Sequence, residues 1–404
     1  MSATIGGGDG LQDPMATASQ LEYSAEPAAP AGRLLGLTWA HLLNDGSANY
    51  LPGILPALLI SLNEPVAMAG AFMASLILAQ SLQPLSGYLA DRLGGKSLII
   101  LGLAGSAIGG GLLGFAHNVW LGIALLAMIG VGNTLFHPQA LAAVRSVAGS
   151  RHGLSMSVFL VGGELGRGLW PSVASALVVS HGLAALWVTA IPALFTLPLL
   201  SRWAPSLPAR RAHLAHIDWR GKLRPLAALV GFGSLRSLTI FGVVTFIPIL
   251  WHLRGGGLVA GASIITTLLV VGIVGNLAGG HLSDRLGYRG PLVVTSLAGA
   301  LLIALLPMAA GVWLWVAAGV LGIAMFSSLP VTVLIGQSIF PENRALGSGV
   351  SLGATNALGS VGVLTLGFVA GKFGVDLVLY VLAAASLLSA LFAAMVPGEG
   401  AAHA

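Results

Sequence analysis

The residues best placed to do chemistry are charged or titratable side chains inside otherwise apolar runs. Of thirteen acids in the chain, only Asp45 and Glu164 fall well inside such runs, with Asp376 at the very start of the last, and they are joined there by Arg167, Arg236, His41 and His137. An Asp or Arg costs about 2.5–3.5 kcal/mol at the centre of a membrane helix, so such groups face a protein interior or a wet cavity. His41 and Asp45 are four residues apart with Asn44 between them, which puts the three on roughly one helical face. A carboxylate in a partly desolvated cavity can load and release a proton in a transport cycle. The alternative is a permanently charged Asp45 clamped by Arg236, at similar depth in another run. Glu164 and Arg167, three apart among Gly162, Gly163, Gly166 and Gly168, either couple protons and contact substrate or neutralise each other. His137, just before Pro138, is a candidate gate or proton relay, or a hydrogen-bond donor to a loop carbonyl. Asn44, Asn49, Arg167 and Arg236 are candidates for substrate contact, since arginine forks hold carboxylate, phosphate or phosphonate at two points.

The elements that position these residues follow from composition. The chain has 404 residues, 56% hydrophobic and 8% charged, against about 25% charged in a soluble domain. With about 20 apolar residues per span, it has room for twelve membrane helices. Breaks between apolar runs place them at 34–61, 66–90, 97–115, 119–143, 154–180, 183–200, 225–251, 258–283, 291–310, 312–338, 346–371 and 375–396. The domain reading is a disordered tail at 1–32, a six-helix half at 33–200, a linker at 201–224, a second half at 225–396 and a short tail at 397–404. Pro52, Pro56, Pro84, Pro171, Pro248 and Pro330 lie inside the runs and are expected to bend them.

Fourteen of the eighteen Lys and Arg residues fall in the first tail, the central linker and the gaps after even-numbered runs, whereas only Arg254 and Lys372 fall in the opposite gaps. The positive-inside rule then places both termini in the cytoplasm of a cell whose inner membrane holds the chain. The net charge of +5 is spread over these gaps and not gathered into a patch, which argues against nucleic acid. The chain has no cysteine, which removes disulfides, thiolate metal sites and catalytic thiols. It has no His-Glu-x-x-His, no nucleophile elbow and no phosphate-binding Gly-x4-Gly-Lys-Ser loop, so neither an enzyme nor ATP as energy source is expected, and no metal or cofactor is called for.

The halves repeat. Gly87-Tyr-Leu-Ala-Asp91-Arg92-Leu-Gly94 reappears as Gly280-His-Leu-Ser-Asp284-Arg285-Leu-Gly287, an offset of 193 residues that also carries Arg151 to Arg344. These two loops resemble the signature loop of the major facilitator superfamily. That resemblance implies an all-α membrane protein of two six-helix halves, with Gly87, Asp91, Arg92, Gly280, Asp284, Arg285, Arg151 and Arg344 at cytoplasmic gating loops.

A narrower resemblance covers residues 41–171. His41-Leu-Leu-Asn44-Asp45, Gln83-Pro84-Leu-Ser-Gly87, Phe136-His137-Pro138 and Arg151-His152-Gly153 through Gly162-Gly163 are similar to the fosmidomycin resistance proteins. Gln139, Leu160, Glu164 and Trp170 depart from the pattern. The resemblance implies a secondary transporter that exports a small toxic or anionic compound, such as a fosmidomycin-like drug, in exchange for protons. A symporter importing an organic anion stays open, as does a membrane enzyme or non-transporting receptor on the same scaffold. The expected partners are a small-molecule substrate, protons and the lipid bilayer.

Overall fold

The computed structural model describes residues 31–83, 86, 89, 93, 95–148, 152–205, 217 and 219–396. Within them the regular elements are helices: α1 (Ala31–Asn49), α2 (Leu51–Ser61), α3 (Met68–Gln80), α4 (Gly95–Leu113), α5 (Val119–Val147), α6 (His152–His181), α7 (Ile191–Trp203), α8 (Leu223–Leu253), α9 (Leu258–Leu286), α10 (Arg289–Leu305), α11 (Val312–Ile339), α12 (Arg344–Gly349), α13 (Thr355–Phe373) and α14 (Val375–Met395). Short 3₁₀ segments, Leu183–Ala190 and Leu306–Met308, extend α7 and α10, and a π turn, Val350–Ala354, joins α12 to α13. Among the described residues, nine helical segments are long and apolar enough to cross a membrane. The chain is therefore a multi-pass membrane protein.

The three expected runs outside those nine are informative. The run at 34–61 is two helices, because Pro52 has no N–H to give the carbonyl of Ala48. The chain breaks at Tyr50, and the freed Ala48 carbonyl accepts from Gln80 Nε2 at 3.4 Å. In the run at 66–90 the helix Met68–Gln80 gives way to a turn at Ser81 and Leu82, Gln83, Ser86 and Leu89 are helical again, and Pro84 and Gly87 lie outside the described residues. The third is α6, 30 residues long but carrying Glu164 and Arg167.

Apolar burial forms three clusters, and their membership gives the shape. One cluster draws on both ends of the sequence, from Ala48 through Ile129 to Leu268 and Leu382. The other two are segregated: one uses only residues between Leu37 and Ala204, the other only residues between Ala228 and Val396. The bundle is thus fused at one end and parted at the other. Fusion depends on residues without side chains. A Cβ on Gly70 would strike the Val363 carbonyl and one on Gly367 the Ala67 carbonyl, so early α3 meets late α13 at backbone contact, and within the early helices Gly53 brings α2 equally close to the Pro171 backbone of α6. Ser172 and Thr266 share a hydrogen bond of 2.7 Å between α6 and α9 at the same end.

At the parted end, the described tip of the 201–224 linker is tied to the later helices. Trp219 packs edge-on against Phe340 at 5.8 Å, Lys222 lies over that ring at 5.3 Å, and Lys222 also pairs with Glu342. The hydrogen bond from Lys222 holds the Glu342 carboxyl below its ordinary range. The second repeat motif is mostly helical. Gly280 to Leu286 form the last turns of α9, and Gly287, at φ +72°, ends the helix in a conformation that glycine adopts most readily. The motif read as a loop is thus a helix end, with Arg285 exposed.

The fused end can be tested with an Ala67→Cys/Gly371→Cys pair, since a Cβ on Gly371 falls 2.9 Å from that of Ala67 and the chain has no competing cysteine. We expect ready cross-linking with mild oxidant, and a severalfold lower yield when Gly367→Val is added. An unchanged yield would show that the glycine contact does not hold this end together.

Candidate functional site

Helices α1 and α6 run against each other along their length, and glycines set the spacing. Gly162 faces the Thr38 carbonyl, Gly163 the His41 imidazole and Gly166 the Leu42 carbonyl, each too close for a Cβ. Conversely, Gly46 on α1 leaves room for the Trp170 indole, which accounts for the tryptophan that departs from the resembled pattern. This contact brings the α6 charges to the α1 carboxylate.

Asp45 is fully buried and gathers partners from three helices. Arg167 Nη2 of α6 lies 3.1 Å from Asp45 Oδ2. From α5, His137 Nε2 lies 3.1 Å from Oδ1 and Asn133 Nδ2 donates to Oδ1 at 3.3 Å. On α1 itself, Asn44 Nδ2 donates to Oδ1 at 3.2 Å and His41 Nε2 lies 3.6 Å from Oδ2. Arg167 also reaches Glu164 at 3.7 Å, and 30% of its side chain is exposed. The sequence-predicted Asp45, His41, His137, Asn44, Glu164 and Arg167 therefore form one network. The cationic partner of Asp45 is Arg167 and not Arg236, because the glycine face of α6 brings that helix within side-chain reach.

The hydrogen bonds assign the histidine tautomers. His41 Nδ1 sits 2.8 Å from the Phe159 carbonyl and His137 Nδ1 sits 3.0 Å from the Asn133 carbonyl. A carbonyl only accepts, so each Nδ1 carries hydrogen and each Nε2 points inward. The two Nε2 atoms are 3.2 Å apart. Two bare lone pairs would repel at that distance, and a hydrogen on either Nε2 would bridge to the other ring or to Asp45.

The donor atoms of His41, Asp45 and His137 lie within 4.8 Å of one another, a spacing that suits a metal ion. The surroundings suit one poorly. A guanidinium occupies one carboxylate oxygen and two amide donors the other, so a dication would be repelled by Arg167 and would displace both Asn contacts. The network is closed by its own guanidinium and amide donors.

Other predicted residues lie elsewhere. Asn49 donates to the Asp45 backbone carbonyl at 2.9 Å and serves the end of α1. Arg236 lines a separate pocket among α8, α10, α11 and α14. Gly280 and Arg285 sit at the end of α9, while Asp91, Arg92, Gly87 and Arg151, with the side chains of Asp284 and Arg344, lie outside the described residues. Asn133 was not among the predicted residues. Its signal is a polar residue four before His137, hence on the same face. Asn44 Oδ1 and Arg167 Nε are buried without a hydrogen-bond partner among the described residues.

A helical bundle fused at one end, with a charged network inside, defines a membrane transporter. Residues 37–336 match the family model described as Major Facilitator Superfamily, and the chain belongs to that family. It is 24% identical over 399 residues to the fosmidomycin resistance protein of Escherichia coli (strain K12), covering 94% of this chain and 96% of that one. It is 26% identical over 344 residues to the MFS-type transporter YfnC of Bacillus subtilis (strain 168), covering 81% and 83%. Among solved structures, a mutant of the nucleoside transporter NupG superposes with TM-score 0.77 at 17% identity, covering 90% of this chain and 100% of that one. A bacterial homologue of the lysosomal transporter Spinster, described as inward-facing and occupied, gives 0.76 at 14% identity, covering 91% and 97%. These relatives and neighbours are transporters, not enzymes.

Arg167→Gln leaves the buried Asp45 with only neutral amides and the histidine pair. Losing one partner of a buried ion pair costs about 3–5 kcal/mol, and we expect the lower end because the histidines compensate. Asp45→Asn in the same protein should recover most of the loss. Thermal unfolding in detergent of the two single variants and the double variant checks this, and additive losses would contradict it.

Proposed function

We propose that this transporter is a proton-coupled exporter of a small toxic or anionic organic compound, with the proton carried by the His41–His137–Asp45 network. The supporting observation is the 3.2 Å approach of two inward-facing imidazole nitrogens beside a buried carboxylate, an arrangement that one shared proton would bridge. Releasing that proton leaves two lone pairs in opposition and one positive charge fewer beside Asp45, so the α1–α5 contact loosens. Other charged groups facing the pair are Arg167 and Glu164 on α6. Export of a drug-like compound is favoured by the relatives named for fosmidomycin resistance and, more distantly, for multidrug efflux.

In this reading the apolar runs make twelve spans in two six-helix halves at 33–200 and 225–396. Both termini, the 201–224 linker, Asp91 and Asp284 lie on the cytoplasmic face of the inner membrane, supported by the fourteen-to-two distribution of Lys and Arg. The parted end then opens to the cytoplasm and the fused end closes the outside. Gating by Gly87, Asp91, Arg92, Arg151, Gly280, Asp284, Arg285 and Arg344 belongs to the same reading.

Two experiments test it. In proteoliposomes with an imposed proton gradient, the parent should drive a fosmidomycin-like phosphonate against its gradient, while Asp45→Asn and His137→Gln should lose gradient-driven transport and keep part of the passive exchange. Accumulation by Asp45→Asn equal to the parent's would remove the network from coupling, and substrate moving with the protons would make the protein a symporter. For orientation, a cysteine at Gly290 should react with an impermeant thiol reagent only from inside, and one at Asn118 only from outside. The reverse pattern would overturn the topology.

A further inference from the structure

Arg236 is the charged side chain that the proton network does not use. It lies in α8 with 9% of its surface exposed, and its Nε has no partner. Among the described residues no carboxylate pairs with it, whereas Arg167 and Arg254 each have one. Burying an unpaired guanidinium costs several kcal/mol, and arginine does not escape by giving up its proton. The charge needs an anion that the described side chains do not supply.

Its surroundings are built to receive one. The pocket that Arg236 lines also carries Thr239 of its own helix, Thr295 and Ser296 of α10, Ser328 of α11, and Ser386 and Ser389 of α14. These hydroxyls each donate locally. Thr239 bonds the Leu235 carbonyl at 2.7 Å, Ser328 that of Met325 at 2.8 Å, Ser386 that of Ser296 at 2.9 Å, and Ser389 the Ser296 hydroxyl at 2.9 Å. A hydroxyl hydrogen rotates, so each can turn from its carbonyl toward a negative charge. The pocket has room for a group only a little larger than water.

We propose that the Arg236 pocket binds a compact anion, of chloride or carboxylate size, held by the guanidinium and the hydroxyls around it. The anion comes either from free halide or from the acidic end of a transported compound. Both meet the same chemistry, which a bulky organic anion as a whole does not. The site is on different helices from the Asp45 network and stands independently of proton coupling.

The test is thermal unfolding of the purified full chain in detergent, in sodium gluconate at constant ionic strength, with chloride, bromide, acetate or methylphosphonate replacing gluconate. The parent should show a saturable rise in Tm with at least one of the four, as expected for a ligand that binds only the folded state. Arg236→Gln should abolish that rise, and in gluconate alone it should be at least as stable as the parent because a buried, uncompensated charge is gone. A response to halides identifies the free ion, and a response to the organic acids with halides silent identifies the acidic end of a substrate. If the parent responds to none of them, or Arg236→Gln responds as strongly, the proposal fails. Should that variant not fold, parent crystals grown in bromide or a heavy-atom carboxylate decide the matter: an anomalous peak beside Arg236 supports the site, and peaks only elsewhere overturn it.

Discussion

A carboxylate with no access to solvent governs the arrangement of the early helices. Asp45 is tolerable at its depth because Arg167, His137, His41, Asn133 and Asn44 surround it, and no single helix can supply that set. Helices α1, α5 and α6 must therefore converge, and the convergence needs α6 to present glycine toward α1. Removing one partner leaves a charge in low dielectric, which is far more costly than the net stabilisation the intact network gives. The network is thus poor as a source of stability and strong as a determinant of geometry.

The same helices carry the fusion of the bundle further along. Glycine contacts at Gly70 and Gly367 join the early and late segments where the shared apolar cluster lies, while toward the linker the buried apolar residues fall into two separate clusters. Packing of this kind is all-or-none. Backbone in contact with backbone cannot slide by fractions of an ångström without loss, so such an interface favours two discrete arrangements over a continuum. In membrane helices the association rests on van der Waals fit and hydrogen bonds, since lipid tails are as apolar as leucine.

Most helices were legible in the sequence because a long apolar run has few alternatives in a bilayer. The runs from 97 onward match helices to within a few residues, α6 among them despite the charges it carries. The site was half legible. Intramembrane charge picked out Asp45, His41, His137, Glu164 and Arg167, but pairing depended on which faces meet, and depth along the helix suggested Arg236 where proximity selects Arg167. Asn133 escaped because an uncharged amide costs too little to stand out. Tautomers and the Nε2 approach were not legible, since they depend on carbonyls of residues far apart in sequence.

The π turn at Val350–Ala354 has a consequence for the internal repeat. Such a turn corresponds to one extra residue in the helix, which advances the phase by about 100°. The N-terminal counterpart, α6, contains no described π turn, so the offset of 193 that carries Arg151 to Arg344 becomes 194 beyond the turn. The counterpart of Glu164 moves from Ala357 to Leu358, and that of Arg167 from Ser360 to Val361. Neither alignment yields an ionisable residue. The sequence repeat that carries Arg151 to Arg344 therefore does not extend to the charges of α6.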